Sequence, residues 1–161
     1  MTTGFTHESQ KALSVEWYTP KWIFDELGVD FDLDVCTKEG GIPWIPAKQH
    51  FHKGTDGLAN EWEGQVWCNP PYGKETKVWL NKFCSHGNGI ALVFARTDTQ
   101  WFHETLNKVD AVNFIKGRVQ FVDGDGVSNK GGSTCGSMLL AVGEENCKAI
   151  SNIEGLFIKL K

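Results

Sequence analysis

Val66-Trp67-Cys68-Asn69-Pro70-Pro71-Tyr72-Gly73 is the stretch whose reading decides the fold. Its first three residues form an apolar run of the kind a central strand makes, and the double proline ends that run. Each proline fixes φ at about −65° and lacks an N–H donor. Pro70 also keeps Asn69 out of the helical region. Asn69 is therefore expected to lie extended at a strand end, where its side-chain oxygen and the Pro70 carbonyl can face the same way. Two acceptors beside the Tyr72 ring suit a planar substrate that carries an NH₂ group. An ordinary surface turn is the competing reading of these four residues.

A strand of this kind needs a domain around it, and the chain is long enough for one. Its 161 residues are 40% hydrophobic and 22% charged, as expected for a single domain over 1–161 with a substantial core. Seven Trp and ten Phe supply rings for the core and for the pocket of a flat ligand. The five cysteines, Cys36, Cys68, Cys84, Cys135 and Cys147, include no C-x-x-C pair. That argues against a structural zinc site and a disulfide framework, and fits a reducing cytoplasm. His50 and His52 match no structural zinc spacing, so no metal is expected. The N-terminus lacks the apolar core of a signal peptide, and no run reaches transmembrane length.

Net charge is −4, which alone argues mildly against nucleic acid. The charge is uneven. Residues 1–63 hold eleven acids and five bases, whereas 64–161 hold nine acids and eleven bases. A modest basic face in the second half, including Lys74, Arg96, Lys116, Arg118 and Lys130, is able to meet phosphates. Scattered solvated lysines would read the same way.

Outward from the central strand, the elements alternate. Residues 1–16 are polar and expected to be irregular. Thr19 is read as the N-cap of a short helix with Pro20 in its first turn, Ile23 and Leu27 on one face, and Gly28 as C-cap. Thr19 either caps only or also faces a ligand. Phe31 to Cys36 alternates as a strand with Asp34 near its carboxyl end, the edge where open α/β sheets bind ligands. Asp34 there either accepts from an ammonium or ribose hydroxyl, or caps the next turn. Short strands are expected near Trp44-Ile45 and His50-Phe51-His52, and Asp56-Gly57-Leu58 can bring another carboxylate to the same edge. A helix follows from about Thr76 to His86 with an apolar stripe of Val78, Leu80 and Phe83. Gly89 to Ala95 reads as a strand buried on both faces. Arg96-Thr97-Asp98-Thr99 caps the helix of Trp101, Phe102 and Leu106. Ala111–Ile115 and Val119–Val122 read as strands flanking a Lys116-Gly117-Arg118 turn. The Gly-rich loop from Gly124 to Gly136 leads to a strand at Ser137–Val142, a helix from Glu144, and a last apolar segment at Leu156–Ile158. The pattern predicts an α/β domain with a mostly parallel sheet and a terminal antiparallel strand pair.

From Glu16 to Val142 the motifs resemble the phage-type DNA N-6-adenine-methyltransferase (Dam) family, S-adenosylmethionine-dependent amino-methyltransferases. Glu16-Trp17-Tyr18-Thr19-Pro20-Lys21 is similar to the N-terminal motif of that family, Leu33-Asp34-Val35-Cys36 to its cofactor strand, and Asp56-Gly57-Leu58 with Trp62 to the segment before its catalytic strand. Asn69-Pro70-Pro71-Tyr72 is similar to the catalytic motif. Ala95–Thr99 and Ile115–Phe121 are similar to later segments on the target side. The resemblance implies a Rossmann-like methyltransferase fold that acts in the cytoplasm, that of the host for a phage-encoded protein. It implies S-adenosylmethionine as methyl donor, bound by Tyr18, Thr19, Pro20, Asp34, Cys36, Asp56 and Asn69. It implies catalysis by Asn69, Pro70, Pro71 and Tyr72 on an adenine flipped out of double-stranded DNA. Arg96, Lys116 and Arg118 are the candidate DNA contacts.

In that chemistry Asn69 and the Pro70 carbonyl would accept the two amine N–H bonds and aim the nitrogen lone pair at the methyl group, with no general base. The chain departs from many methyltransferases in lacking a G-x-G turn after the cofactor strand; Gly40-Gly41 comes only later. The same tetrapeptide serves enzymes that methylate glutamine amides in proteins, which is the alternative activity. A non-catalytic nucleic-acid-binding module on this fold is the alternative from another class.

Overall fold

A computed structural model describes residues 16–128 and 133–161. Residues 1–15 of the irregular leader expected over 1–16, Lys130 and the middle of the Gly-rich loop lie outside the described residues. The described chain is a mixed α/β fold. Its elements are α1 (Lys21–Leu27), β1 (Phe31–Thr37), β2 (Ala47–His52), β3 (Val66–Cys68), α2 (Thr76–His86), β4 (Gly89–Phe94), α3 (Gln100–Leu106), β5 (Ala111–Ile115), β6 (Ser137–Val142), α4 (Glu144–Ile150) and β7 (Gly155–Lys159).

The seven strands form one sheet in the order β2-β1-β3-β4-β6-β5-β7. The pairs β1–β2, β1–β3 and β3–β4 are parallel, whereas β4–β6, β5–β6 and β5–β7 are antiparallel. The expectation of a mostly parallel sheet is therefore corrected: the sheet is only partly parallel. The physical reason lies in Val119–Val122, which alternates like a strand but does not join the sheet. Val119 and Phe121 are buried in the core. Val122 pairs with Tyr18 through two backbone bonds, its carbonyl accepting from the Tyr18 N–H at 2.6 Å and its N–H donating back at 2.9 Å. The neighbours of β5 are instead β6, inserted between β4 and β5, and β7 outside it.

Alternation along the strands sends side chains to two cores. Trp67, Ile90, Leu92 and Leu139 pack with Ile23, Phe24 and Leu27 of α1 and with Ile150 of α4. Val66, Cys68, Ala91, Val93 and Leu140 pack on the other face with Trp79, Leu80 and Phe83 of α2 and Phe102 of α3. Helices thus cover both faces, which is why β3 and β4 read as continuous apolar runs. The α2 stripe is corrected in one residue. Val78 is 45% exposed, and Trp79 takes the buried place. Gly89 is required by packing: a Cβ there would lie 2.4 Å from the Val66 carbonyl oxygen.

Both helix caps expected from the sequence, Thr19 and the stretch Arg96–Thr99, can be checked. Thr99 caps α3, its hydroxyl accepting from the Phe102 N–H at 3.3 Å. Thr19 does not cap α1. Pro20 is the N-cap residue, extended at ψ 152°, and no side chain caps that helix. The α1 C-terminus is as expected, with Gly28 left-handed at φ 68° and its N–H bonded to Phe24.

Candidate active site

The chain runs from β1 outward to β2 and then crosses back to β3 on the other side of β1. That reversal opens a crevice at the carboxyl ends of β1 and β3, where open α/β sheets bind ligands. A cavity of about 750 Å³ lies there, within the size range of small-molecule sites. Cys36 and Thr37 come to its wall from the end of β1, and Asn69, Pro70, Pro71 and Tyr72 from the loop after β3. Phe94 arrives from the end of β4, Glu16, Trp17 and Tyr18 from the segment before α1, and Phe121, Ser133 and Thr134 from the segments after β5.

Two polar oxygens in this wall are buried and have no hydrogen-bond partner among the described residues: Asn69 Oδ1 and Thr37 Oγ1. Leaving such a group unpaired costs about 1–3 kcal/mol, so each calls for an explanation. The other atom of the Asn69 carboxamide is engaged. Asn69 Nδ2 donates to Thr19 Oγ1 at 3.3 Å. The Pro71 carbonyl is also engaged, accepting from the Thr76 hydroxyl at 2.9 Å.

Tyr72 stacks on Phe94 with ring centroids 4.0 Å apart and planes at 14°. Phe121 meets Phe94 edge-on, and the Arg96 guanidinium sits 5.7 Å from the Phe94 ring centre. Tyr72 remains 43% exposed, so the stack leaves ring surface open.

The electrostatics of the β1 end are set by burial. Asp34 is 2% exposed. Desolvation pushes its carboxyl up to about 8, against the opposing pull of the Cys36 N–H that donates to Oδ1 at 3.3 Å. Burial, then the nearby Asp34 charge, pushes the Cys36 thiol up to about 12, which disfavours the thiolate. Tyr18 donates its hydroxyl to the Glu16 carboxylate. Burial and that bond together raise its pKa.

Six of the residues expected from the sequence meet in the wall: Tyr18, Cys36, Asn69, Pro70, Pro71 and Tyr72. Thr19, Pro20, Asp34 and Asp56 are not part of it. Thr19 is fully buried, and Asp34 lies beside a separate hollow with Gly41 and His50. Asp56 is in a turn at φ 50°, its carboxylate accepting from the Leu58 N–H at 3.1 Å. Arg96 and Lys116 follow the carboxyl ends of β4 and β5, the edge that carries the cavity. Lys116 pairs with Glu154 at 3.0 Å in an exposed ion pair. Arg118 Nη1 donates to the Ser133 carbonyl at 2.8 Å, tying it to a wall segment. Sequence reasoning missed Thr37 and Phe94. Both stand at the carboxyl ends of strands it had found, one residue past Cys36 and inside the apolar run of β4, and that position was the available signal.

The model of the family DNA N-6-adenine-methyltransferase (Dam) matches residues 6–154. The chain belongs to that family, and with it to the methyltransferases. Neither a curated protein nor a solved structure matches it significantly.

Proposed function

We propose that the chain transfers a methyl group from S-adenosylmethionine to the exocyclic N-6 amine of an adenine flipped out of double-stranded DNA, on a Rossmann-like methyltransferase fold. The observation that carries this is the Asn69 side chain on the cavity wall, whose buried Oδ1 has no partner among the described residues and which two prolines hold at a strand end. It is the group that an amine N–H would satisfy.

The wall also fits the cofactor. Its volume, its largely aromatic and apolar make-up, and the unpartnered Thr37 hydroxyl match a ligand with one flat end and a few polar atoms. Tyr18, Cys36 and Thr37 would hold it at the end of β1, with Asp34 behind them giving up its proton as a cationic ligand binds, and Thr19, Pro20 and Asp56 supporting the wall. When bound, the cofactor supplies an electrophilic methyl group on a positively charged sulfur.

The adenine amine is a weak nucleophile because its lone pair is delocalised into the ring. Asn69 Oδ1 and the Pro70 carbonyl accept its two N–H bonds, draw the nitrogen toward a tetrahedral shape and stabilise the positive charge that develops there. The amine proton leaves to solvent after transfer. No general base is needed, in keeping with a wall whose thiol and phenol are both held protonated by burial. Pro70 and Pro71 keep the acceptors fixed through the reaction. The open face of Tyr72 offers a stacking surface for a base outside the duplex. Arg96, Lys116 and Arg118 at the same edge provide charge for the phosphates beside it.

Incubation with methyl-labelled S-adenosylmethionine and unmethylated duplex DNA, followed by nucleoside analysis, tests this. Label in N-6-methyladenine is expected. Label in cytosine or in a polypeptide amide, or none in any product, overturns it.

A further inference from the structure

Thr19 sits where a helix cap was expected and caps nothing. It is fully buried, and it lies behind the cavity wall rather than in it. Its hydroxyl oxygen accepts from Asn69 Nδ2 at 3.3 Å, while the opposite atom of that carboxamide, Oδ1, has no partner among the described residues.

Both ends of this contact are fixed by their backbones. Tyr18, immediately before Thr19, is held to Val122 by two backbone bonds. The Thr19 carbonyl accepts from Trp44 Nε1 at 2.8 Å, and Pro20 follows with its fixed φ. Asn69 is set between a buried strand and two prolines. What the backbones leave free is rotation of the Asn69 carboxamide about its last side-chain bond, a soft torsion with two nearly equivalent orientations. In the one observed, Nδ2 meets the Thr19 hydroxyl and Oδ1 is the carboxamide atom left for a substrate at the cavity wall. In the other the NH₂ group takes that place, and an incoming amine meets donor against donor.

We propose that Thr19 is a positioning residue that holds the first orientation: by accepting from Nδ2 its hydroxyl fixes the Asn69 carboxamide, so that the oxygen is the atom left for the substrate amine. The proposal rests on the methyltransferase reading above for its consequence in turnover, but not for the bond itself. Thr19 does this without touching substrate or cofactor. Its hydroxyl is the partner of the one Asn69 atom that the reaction does not use.

Thr19→Val keeps the branched shape and removes the acceptor; Thr19→Ser keeps the acceptor. Single-turnover methyl transfer to duplex DNA by Thr19→Val should fall roughly 10- to 100-fold, as for loss of one orienting bond. Cofactor Kd and Tm should stay near wild type, and Thr19→Ser should recover most of the rate. A cofactor Kd that rises in step with the loss of rate makes Thr19 a cofactor ligand and overturns the proposal. A Thr19→Ser variant as slow as Thr19→Val overturns it too.

The bond can also be read without turnover. The side-chain NH₂ resonances of Asn69 in a ¹⁵N-labelled sample, assigned by their loss in Asn69→Asp, should shift and exchange faster with water in Thr19→Val. Unchanged resonances overturn the proposal. Shifted resonances in a wild-type protein that transfers no methyl group support the positioning bond and overturn the functional reading instead.

Discussion

Two asparagines divide this molecule. Asn69 ends β3 in the parallel part of the sheet, and Asn113 lies in the middle of β5 in the antiparallel part. Each carries a buried Oδ1 with no partner among the described residues. Asn113 is fully buried, and its Nδ2 donates to the carbonyls of Ile150 and Ile153 at 2.7 and 2.8 Å. It ties off the end of α4, where helix carbonyls have no intrahelical donor. A Cβ on Gly155 would sit 2.3 Å from Asn113 Oδ1, so that side is closed by packing. Asn69 lines the cavity described above and Asn113 does not. An unpaired buried acceptor is thus not a site by itself. It becomes a candidate where the strand order reverses and leaves a crevice.

Removing the two side chains gives the largest and most opposite effects. Asn69→Ala should cut methyl transfer roughly 10³-fold or more, with Tm nearly unchanged because only the Thr19 bond is lost. Asn113→Ala should lower stability by about 2–4 kcal/mol, since the Ile150 and Ile153 carbonyls each lose the Asn113 donor and a cavity remains. Its turnover per folded molecule should match wild type. Urea denaturation and single-turnover assays on both variants measure the contrast. Equal activity losses at the two positions would erase it.

The same pair shows what was legible in sequence. Asn69 was readable because two prolines and an aromatic follow it, a local pattern with a local consequence. Asn113 was not, since its partners are 37 and 40 residues away. The helices at Thr76–His86 and from Glu144 were legible by period and breaker residues. The sheet order was not, because Val119–Val122 alternates like a strand while facing Tyr18 rather than β5. The two threonines divide in the same way. Local pattern put Thr19 in one cap and Thr99 in the stretch expected to form another, and the structure makes Thr99 a cap and gives Thr19 to a residue fifty positions on.

Asp34 tests the functional side of the division through pH. Its folded pKa of about 8 lies above the ordinary carboxylate value of 3.8. Between about pH 4 and pH 8 the folded state keeps a proton that the unfolded state has released, so stability falls as pH rises through that window and levels off above it. Asp34→Asn removes the titration and keeps an acceptor for the Cys36 N–H. It should therefore be the more stable protein at pH 8, by on the order of a few kcal/mol, and lose that advantage near pH 4. Thermal melts across this range measure it. Cofactor affinity should drop about tenfold at pH 8, as expected for a lost charge partner. Stabilisation with unchanged affinity would make Asp34 a turn cap alone.

Tyr72 gives a smaller effect. One ring face is taken by Phe94 and the residue is 43% exposed. Tyr72→Ala should raise the apparent Kd for DNA about tenfold, the range for one lost base–aromatic stack. Cofactor Kd should move less than twofold. Equal losses in both would mean that the ring holds the wall together through Phe94 instead of meeting a base.

Arg118 should give the smallest effect and separates two roles most cleanly. Its Nη1 already donates to the Ser133 carbonyl, but a guanidinium has five N–H donors and keeps its charge while making one such bond. A phosphate contact adds counterion release. Arg118→Glu should then weaken DNA binding several-fold and lessen the log–log salt slope by about 1. A strap on Ser133 involves no counterions, so loss of the strap alone would leave the slope as it was and loosen the cavity wall, weakening the cofactor instead. Arg118→Gln separates the two further, because it can still donate to Ser133 without the charge. A changed salt slope with cofactor affinity intact in Arg118→Gln puts Arg118 on DNA. The reverse pattern returns it to the wall, and leaves Arg96, stacked beside Phe94 at the same sheet edge, as the cation nearest the base.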